Sequence, residues 1–305
     1  MTPSNPLRDE SGSTPLESTA HIMDRITRQL GSQLALVSRD GRRRTAPAPA
    51  PVTAPPPALV VVAHGSRDPR ALATVTALIE RVRELRPGLT VRLGHIELNE
   101  PLLTDTLAAA TGSAVLVPLL LSRGYHVKHD IPEAAAGAPH LDTRVAAPLG
   151  PHPLLVDALH DRLLEAGWPA GLGQAGRRTA GVILAAAGSR DPDSATDTRR
   201  TAYLLAQRLG VPVVPAYASP TAASALSVPG AVRALAARGR HRTAVASYFT
   251  APGRFATQCA DAAPWIAAAP LGAHPAMARL LLHRYDQARA AAPATQVPPR
   301  QLTSA

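Results

Sequence analysis

Two landmarks recur in this chain, in the same order and at almost the same spacing. Gly65-Ser-Arg-Asp-Pro69 returns as Gly188-Ser-Arg-Asp-Pro192, and Ala146-Ala-Pro-Leu-Gly-Pro-His-Pro153 returns as Ala268-Ala-Pro-Leu-Gly-Ala-His-Pro275; the two offsets agree within one residue. Such a chain is a duplicated unit, so whatever topology the first copy adopts the second must adopt too. The first copy is placed at 58–166 and the second at 179–288, joined by a Gly-rich linker over 167–178. Residues 1–57 read as a disordered tail, because the Pro/Ala tract from Ala46 to Pro57 favours an extended spacer. Within it Ile22, Ile26, Leu30 and Leu34 fall at helical spacing and predict a short helix. Residues 289–305 read as a second tail.

Each copy alternates strand and helix. In the first, the β-branched run 59–63 predicts a strand. A helix follows over 69–86, where Leu72, Val75, Leu78, Ile79 and Val82 form an apolar stripe and Pro87-Gly88 ends it. Strands are expected at 90–96, 114–121 and 143–147, with helices at 100–110, 129–137 and 152–165. In the second copy strands are expected at 181–186, 211–216, 242–248 and 265–269. Helices are expected there at 194–209, 253–263 and 274–288, and a helical region over 220–237 interrupted near Pro229. Alternating βαβα implies a parallel sheet covered by helices on both faces. With 46% apolar and only 3% aromatic residues, the cores must be built from Ala, Leu and Val.

A parallel sheet of this kind places its ligands beyond the carboxyl ends of its strands. There the first copy carries unusual residues. Leu59-Val-Val-Val-Ala63 ends in His64-Gly65, and Val115-Leu-Val-Pro-Leu-Leu-Leu121 opens into Ser122-Arg-Gly-Tyr-His126. Glu97, in Ile96-Glu-Leu-Asn-Glu-Pro101, ends a third strand. Two histidines and a carboxylate suit a borderline divalent ion such as Co2+, Fe2+, Ni2+ or Zn2+, or acid–base work. Neutral imidazole is the form that binds metal, so acidification opposes binding. His129 and Asp130 lie one helical turn from His126, facing the same cavity or orienting that ring. His95 reads as structural, further back in its strand; His152 and His274, each before a proline, read as helix starts. The second copy has Ala187 where the first has His64, Phe255 where it has His126, and Ala216 where it has Glu97, aligned through Pro101 and Pro220. Scaffold survived duplication and the polar residues did not, so one site is expected, in the first copy, with the second copy as its wall or lid.

Charge narrows the partner. The formal balance of +10 is almost all arginine, Lys128 being the one lysine. It favours an anionic ligand; a small polycarboxylate fits better than nucleic acid, for which stacking platforms and an RNA-binding motif are missing. Arg67, Arg70, Arg123 and Lys128, on the same loops as the histidines, are candidates to pair with its carboxylates. Lys128 follows a valine, so no phosphate-binding Gly-x-x-x-x-Gly-Lys-Ser/Thr loop exists and no nucleotide is expected. The single Cys259 rules out an intrachain disulfide or Cys-rich zinc site and fits a reducing cytoplasm. Neither a secretory signal nor an apolar run of about 18 residues appears, so no membrane association is expected.

The segments Val-Val-Ala-His-Gly-Ser-Arg, Ile-Glu-Leu-Asn-Glu-Pro and Pro-Leu-Leu-Leu-Ser-Arg-Gly-Tyr-His-Val-Lys-His-Asp-Ile-Pro resemble the CbiX/SirB sirohydrochlorin chelatases, the class II tetrapyrrole chelatases, in their long two-domain form. The resemblance covers about 58–288. It implies an α/β fold of two tandem duplicated chelatase-like domains. It implies a lyase that inserts Co2+ or Fe2+ into sirohydrochlorin without ATP, in cobalamin or sirohaem biosynthesis, in a cleft between the domains. His64 and His126 take the place of the family's metal-site histidines, and Glu97 that of its glutamate. The long tails depart from the family pattern. A metal or tetrapyrrole carrier would use the same ligands without turnover. A histidine phosphatase also ends a strand in His-Gly, but with arginine before it, where this chain has Ala63.

Overall fold

The computed structural model describes residues 55–291, together with Met23, Thr27 and Arg28, which are helical. Most of the expected N-terminal tail and its helix, and the C-terminal tail beyond residue 291, lie outside the described residues. The first copy runs β1 (Ala58–Ala63), α1 (Pro69–Leu85), β2 (Val91–His95), α2 (Leu103–Ala108), β3 (Ser113–Pro118), a single π-helical turn (His126–Asp130), α3 (Ile131–Ala136), β4 (Asp142–Val145) and α4 (Pro153–Glu165). After α5 (Gln174–Thr179), the second copy runs β5 (Ala180–Ala186), α6 (Pro192–Leu209), β6 (Val213–Tyr217), α7 (Val228–Ala236), β7 (Arg242–Ser247), α8 (Arg254–Asp261), β8 (Ile266–Ala267) and α9 (Pro275–Ala290).

Both sheets are parallel and four-stranded, in the orders β2-β1-β3-β4 and β6-β5-β7-β8. In each, the strand order reverses direction beside the first strand, which opens a crevice at the carboxyl ends of β1 and β3, or β5 and β7. Strand side chains alternate between the faces. Leu59, Val61 and Ala63 join the large core between the two sheets, whereas Val60 and Val62 pack outward under α2 and α3. Likewise Val182, Leu184 and Ala186 face the shared core, and Ile183 and Ala185 face the outer layer with α7 and α8.

The copies exchange their last helices. The C-terminal helix of the first copy, α4, packs on α6 and β7; that of the second, α9, packs on α1, β3 and β4, and the two helices pack on each other. One continuous core therefore spans both copies, from Leu59 to Tyr285. Fully buried leucines in this layer, such as Leu159 and Leu281, each contribute on the order of 2–5 kcal/mol against truncation to alanine.

Two local expectations differ from the structure. The linker holds the short helix α5. The region 220–237 is helical only over Val228–Ala236, and Pro229 lies in the first turn rather than interrupting a longer helix. Proline has no N–H to lose there, and Ser227 caps the turn by accepting from Gly230 N.

Candidate metal site in the inter-copy cleft

Backbone geometry brings the three predicted residues together. His64 leaves β1 in the turn to α1, which Asp68 caps by accepting from Arg70 N. Gly65 lies at φ +103°, and a Cβ built there would fall 1.8 Å from the Glu97 carbonyl oxygen. Only glycine permits that approach. The Glu97 N–H donates to His64 O at 3.0 Å, and Asn99 Oδ1 accepts from Ser66 N at 2.6 Å. The end of β2 is thus fastened to the end of β1. His126 comes from the neighbouring crevice strand, β3, as the first residue of the π-turn, which the Ile131 N–H closes on His126 O.

The His64 and His126 rings meet edge to face, centroids 4.7 Å apart at 74°. Two imidazoles on one ion, with metal–nitrogen bonds of about 2.0–2.1 Å, place their centroids about 5 Å apart. Each ring has a carboxylate at Nδ1: Glu97 Oε1 lies 3.4 Å from His64, and Asp130 Oδ2 lies 2.5 Å from His126. A carboxylate at Nδ1 holds the proton there and leaves the Nε2 lone pair free for a cation. Glu97 therefore sits beside a histidine rather than between the two rings. Among the described residues no group of three or more His, Cys, Asp or Glu side chains is arranged to hold a metal ion. A pair of imidazoles leaves most coordination positions to other donors, which suits an ion that is passed on rather than kept.

These rings border a cleft of about 660 Å³ lined by both copies. Leu72, Leu98 and Tyr125 expose apolar surface along the first copy's side. Leu98 does so from a left-handed backbone, φ 71°, rare for a branched residue.

The expected cations divide. Arg67 is exposed at the cleft and has no ion-pair partner among the described residues. Arg70 is paired with Asp68. Arg123 and Lys128 hold the second copy instead of facing a ligand: Arg123 forks onto the buried Asp197 at 2.7 Å, and Lys128 Nζ lies 2.7 Å from Asp191 and 2.8 Å from Asp193. Ser122 and Ser194 add a hydroxyl pair at 2.8 Å. His129 stacks against Tyr125, centroids 4.6 Å apart, and does not line the cleft. His95 is buried at its floor, Nδ1 against Pro101 O. His152 and His274 cap α4 and α9, accepting from Leu154 N and Ala276 N.

A family model, CbiX, matches residues 58–166 and 181–288. The chain belongs to the CbiX family. A Bacillus subtilis relative named sirohydrochlorin ferrochelatase is 32% identical over 170 residues, 52% of this chain and 62% of its own length, so the match spans less than two thirds of it. A Methanopyrus kandleri relative named sirohydrochlorin cobaltochelatase is 32% identical over 137 residues, 36% of this chain and 96% of its own length. Two solved structures share the fold. SirB from Bacillus subtilis with Fe3+ has a TM-score of 0.62 at 24% identity, covering 77% of this chain and 96% of that one. The sirohydrochlorin chelatase SirB from Bacillus subtilis subspecies spizizenii in complex with cobalt has a TM-score of 0.59 at 25% identity, covering 77% and 95%.

Within this CbiX chain the structural correspondence of the copies corrects one alignment. Ser219 N donates to Ala187 O as Glu97 N donates to His64 O. Ser219, not Ala216, therefore stands where Glu97 does. The counterparts of the imidazole pair hold: Ala187 follows β5 as His64 follows β1, and Phe255 follows Gly253 as His126 follows Gly124. Proline matching fails because the loop after this strand is three residues longer in the second copy: His95 N donates to Pro101 O and Tyr217 N to Leu226 O, so Pro101 corresponds to Leu226 and not to Pro220. Asp191, Asp193 and Asp197 were not singled out from sequence. The first lies in the repeated Gly-Ser-Arg-Asp-Pro landmark, but nothing local says which cation each one meets.

Proposed function

We propose that this chain inserts a divalent metal, Co2+ or Fe2+, into sirohydrochlorin without a nucleotide. The observation that carries the reading is the imidazole pair, His64 and His126 with centroids 4.7 Å apart, each backed by a carboxylate, at the mouth of a cleft shared by both copies. Family membership and the names of the relatives support the same reaction class.

Insertion exchanges two pyrrole N–H protons for one M2+, so the site must both deliver a cation and take up protons. The Nε2 atoms of His64 and His126 hold the cation beside the macrocycle, and the pyrrole nitrogens displace them as its ligands. Released imidazole is then free to accept a proton, and Glu97, half exposed beside His64, relays protons to water. Arg67 pairs with a peripheral carboxylate of the substrate. Residues 58–166 act as the metal-bearing half and 179–288 as the facing wall.

The test follows the absorbance change of sirohydrochlorin on addition of Co2+ or Fe2+. His64→Ala and His126→Ala are each expected to lower the initial rate at least about a hundredfold, the scale of a lost participating group. Unchanged rates in both variants refute the assignment. Tight metal binding by the parent chain with no spectral conversion of sirohydrochlorin replaces it with a carrier.

A further inference from the structure

The second copy has lost the imidazoles but kept the scaffold that presented them, and its replacements are not random in size. Where the first copy has His64 and Glu97, the second has the smaller Ala187 and Ser219, and of these two Ala187 lines the cleft. Where it has Tyr125-His126, the second has Arg254-Phe255 at the start of α8. Phenylalanine keeps the flat ring of the histidine it replaces and drops the lone pair. The chain has two phenylalanines, and both, Phe249 and Phe255, line this cleft half-buried. In so aromatic-poor a chain that placement marks the wall for a flat, apolar surface.

The two loops are positioned by a pseudo-twofold. A Cβ at Gly124 would lie 3.9 Å from Ser189 Oγ, and one at Gly253 would lie 3.9 Å from Ser66 Oγ, two residues from His64. Each loop thus reaches the opposite copy's strand-end turn, and Arg254-Phe255 borders the same space as His64. The Arg254 guanidinium lies over the Phe255 ring, 4.9 Å from its centroid. It has no ion-pair partner among the described residues, and like Arg67 it lines the cleft.

We propose that Arg254 and Phe255 are the second copy's recognition element for the macrocycle: the Phe255 ring packs on the face of the planar tetrapyrrole, and the Arg254 guanidinium, with Arg67, takes a peripheral carboxylate. The proposal rests on the reading of the cleft as a tetrapyrrole site. It gives the degenerate copy a positive role, binding the organic substrate while the first copy binds the cation.

The experiment separates the two substrates. Sirohydrochlorin is titrated into metal-free protein and followed by its absorbance and fluorescence; Co2+ is titrated calorimetrically without sirohydrochlorin. Phe255→Ala is expected to weaken sirohydrochlorin binding about tenfold or more, with Phe255→Tyr restoring most of it. Arg254→Gln is expected to weaken it about fivefold and to lessen its salt dependence. Co2+ affinity stays within about twofold of the parent in all three. Should the alanine variant fail to fold, Phe255→Leu, which keeps packing volume but not the ring, carries the same test. Parent-like sirohydrochlorin binding by the Phe255 and Arg254 variants overturns the recognition element alone. Absence of sirohydrochlorin binding by the parent chain overturns the reading of the cleft, and this proposal with it.

Discussion

Gly65→Ala tests whether the strand-end turn positions the site, and the duplication supplies its control. A Cβ at residue 65 would lie 1.8 Å from Glu97 O; one at residue 188 would lie 2.1 Å from Ser219 O, at nearly the same φ, +103° against +101°. In both variants the carbonyl must retreat to at least 3.0 Å, a displacement of roughly 1 Å, and a side chain must occupy backbone space reserved for glycine. The backbone strain is about 1–3 kcal/mol, so both variants should be destabilised by comparable amounts, read as midpoints of denaturant unfolding. Their effects on the site should differ. Moving Glu97 O strains the bond from the Glu97 N–H to His64 O and shifts the carboxylate from His64 Nδ1, and a misplacement of about 1 Å is worth on the order of a hundredfold in rate. Gly188→Ala moves only Ser219, which touches no imidazole. Calorimetric Co2+ titration and the sirohydrochlorin rate assay, run below the unfolding range, should show a loss in Gly65→Ala that Gly188→Ala lacks. Equal losses in the two variants, or none in either, would mean that the turn does not position the metal-binding ring.

Further outcomes follow from the same geometry. Asp130→Asn removes the charge that fixes the His126 tautomer and is expected to cost ten- to a hundredfold in Co2+ affinity without moving the thermal midpoint; an unchanged affinity would show that Asp130 does not orient the ring. Acid should loosen the helix-exchange layer. Burial, with Arg284 and His283 nearby, pushes His152 down to about 4, and burial with Arg162 lowers His274 as well. The unfolded chain therefore takes up these protons first: stability is full above the ordinary imidazole value of about 6.5 and falls as pH drops toward 4. For His152, partly open to solvent, the loss between pH 7 and pH 5 is about 1 kcal/mol after screening. Denaturant unfolding at the two pH values should show it, and His152→Asn, which keeps a cap acceptor that does not titrate, should reduce it; an identical loss in that variant would place the proton elsewhere.

Much of the site was legible because its signals are local. A β-branched run ending in His-Gly and a second opening into Gly-Tyr-His place two imidazoles at neighbouring strand ends by period and punctuation alone. Loss of both histidines and of the carboxylate from the second copy, with the scaffold intact, points to the half that carries the chemistry. Arg123 and Lys128 were harder. From sequence they are free loop cations beside the histidines; in the fold Asp191, Asp193 and Asp197, far along the chain on the start of α6, take them. Glu97's counterpart was misplaced for a related reason. Prolines mark loops, and loop lengths drift between copies, whereas the hydrogen bond from strand end to strand end does not.

Pattern and repetition in the chain determined the sheets, their parallel sense and the strand ends that bear histidine, because periodicity and turn chemistry act over a few residues. Contact across the duplication was decided only by tertiary structure. The traded helices α4 and α9, the clasp of Arg123 and Lys128 on three aspartates, and the approach of Phe255 to the space beside His64 all join residues with no sequence relation. Burial and charge pairing select such partners from the whole surface of the opposite copy, and no local pattern encodes that choice.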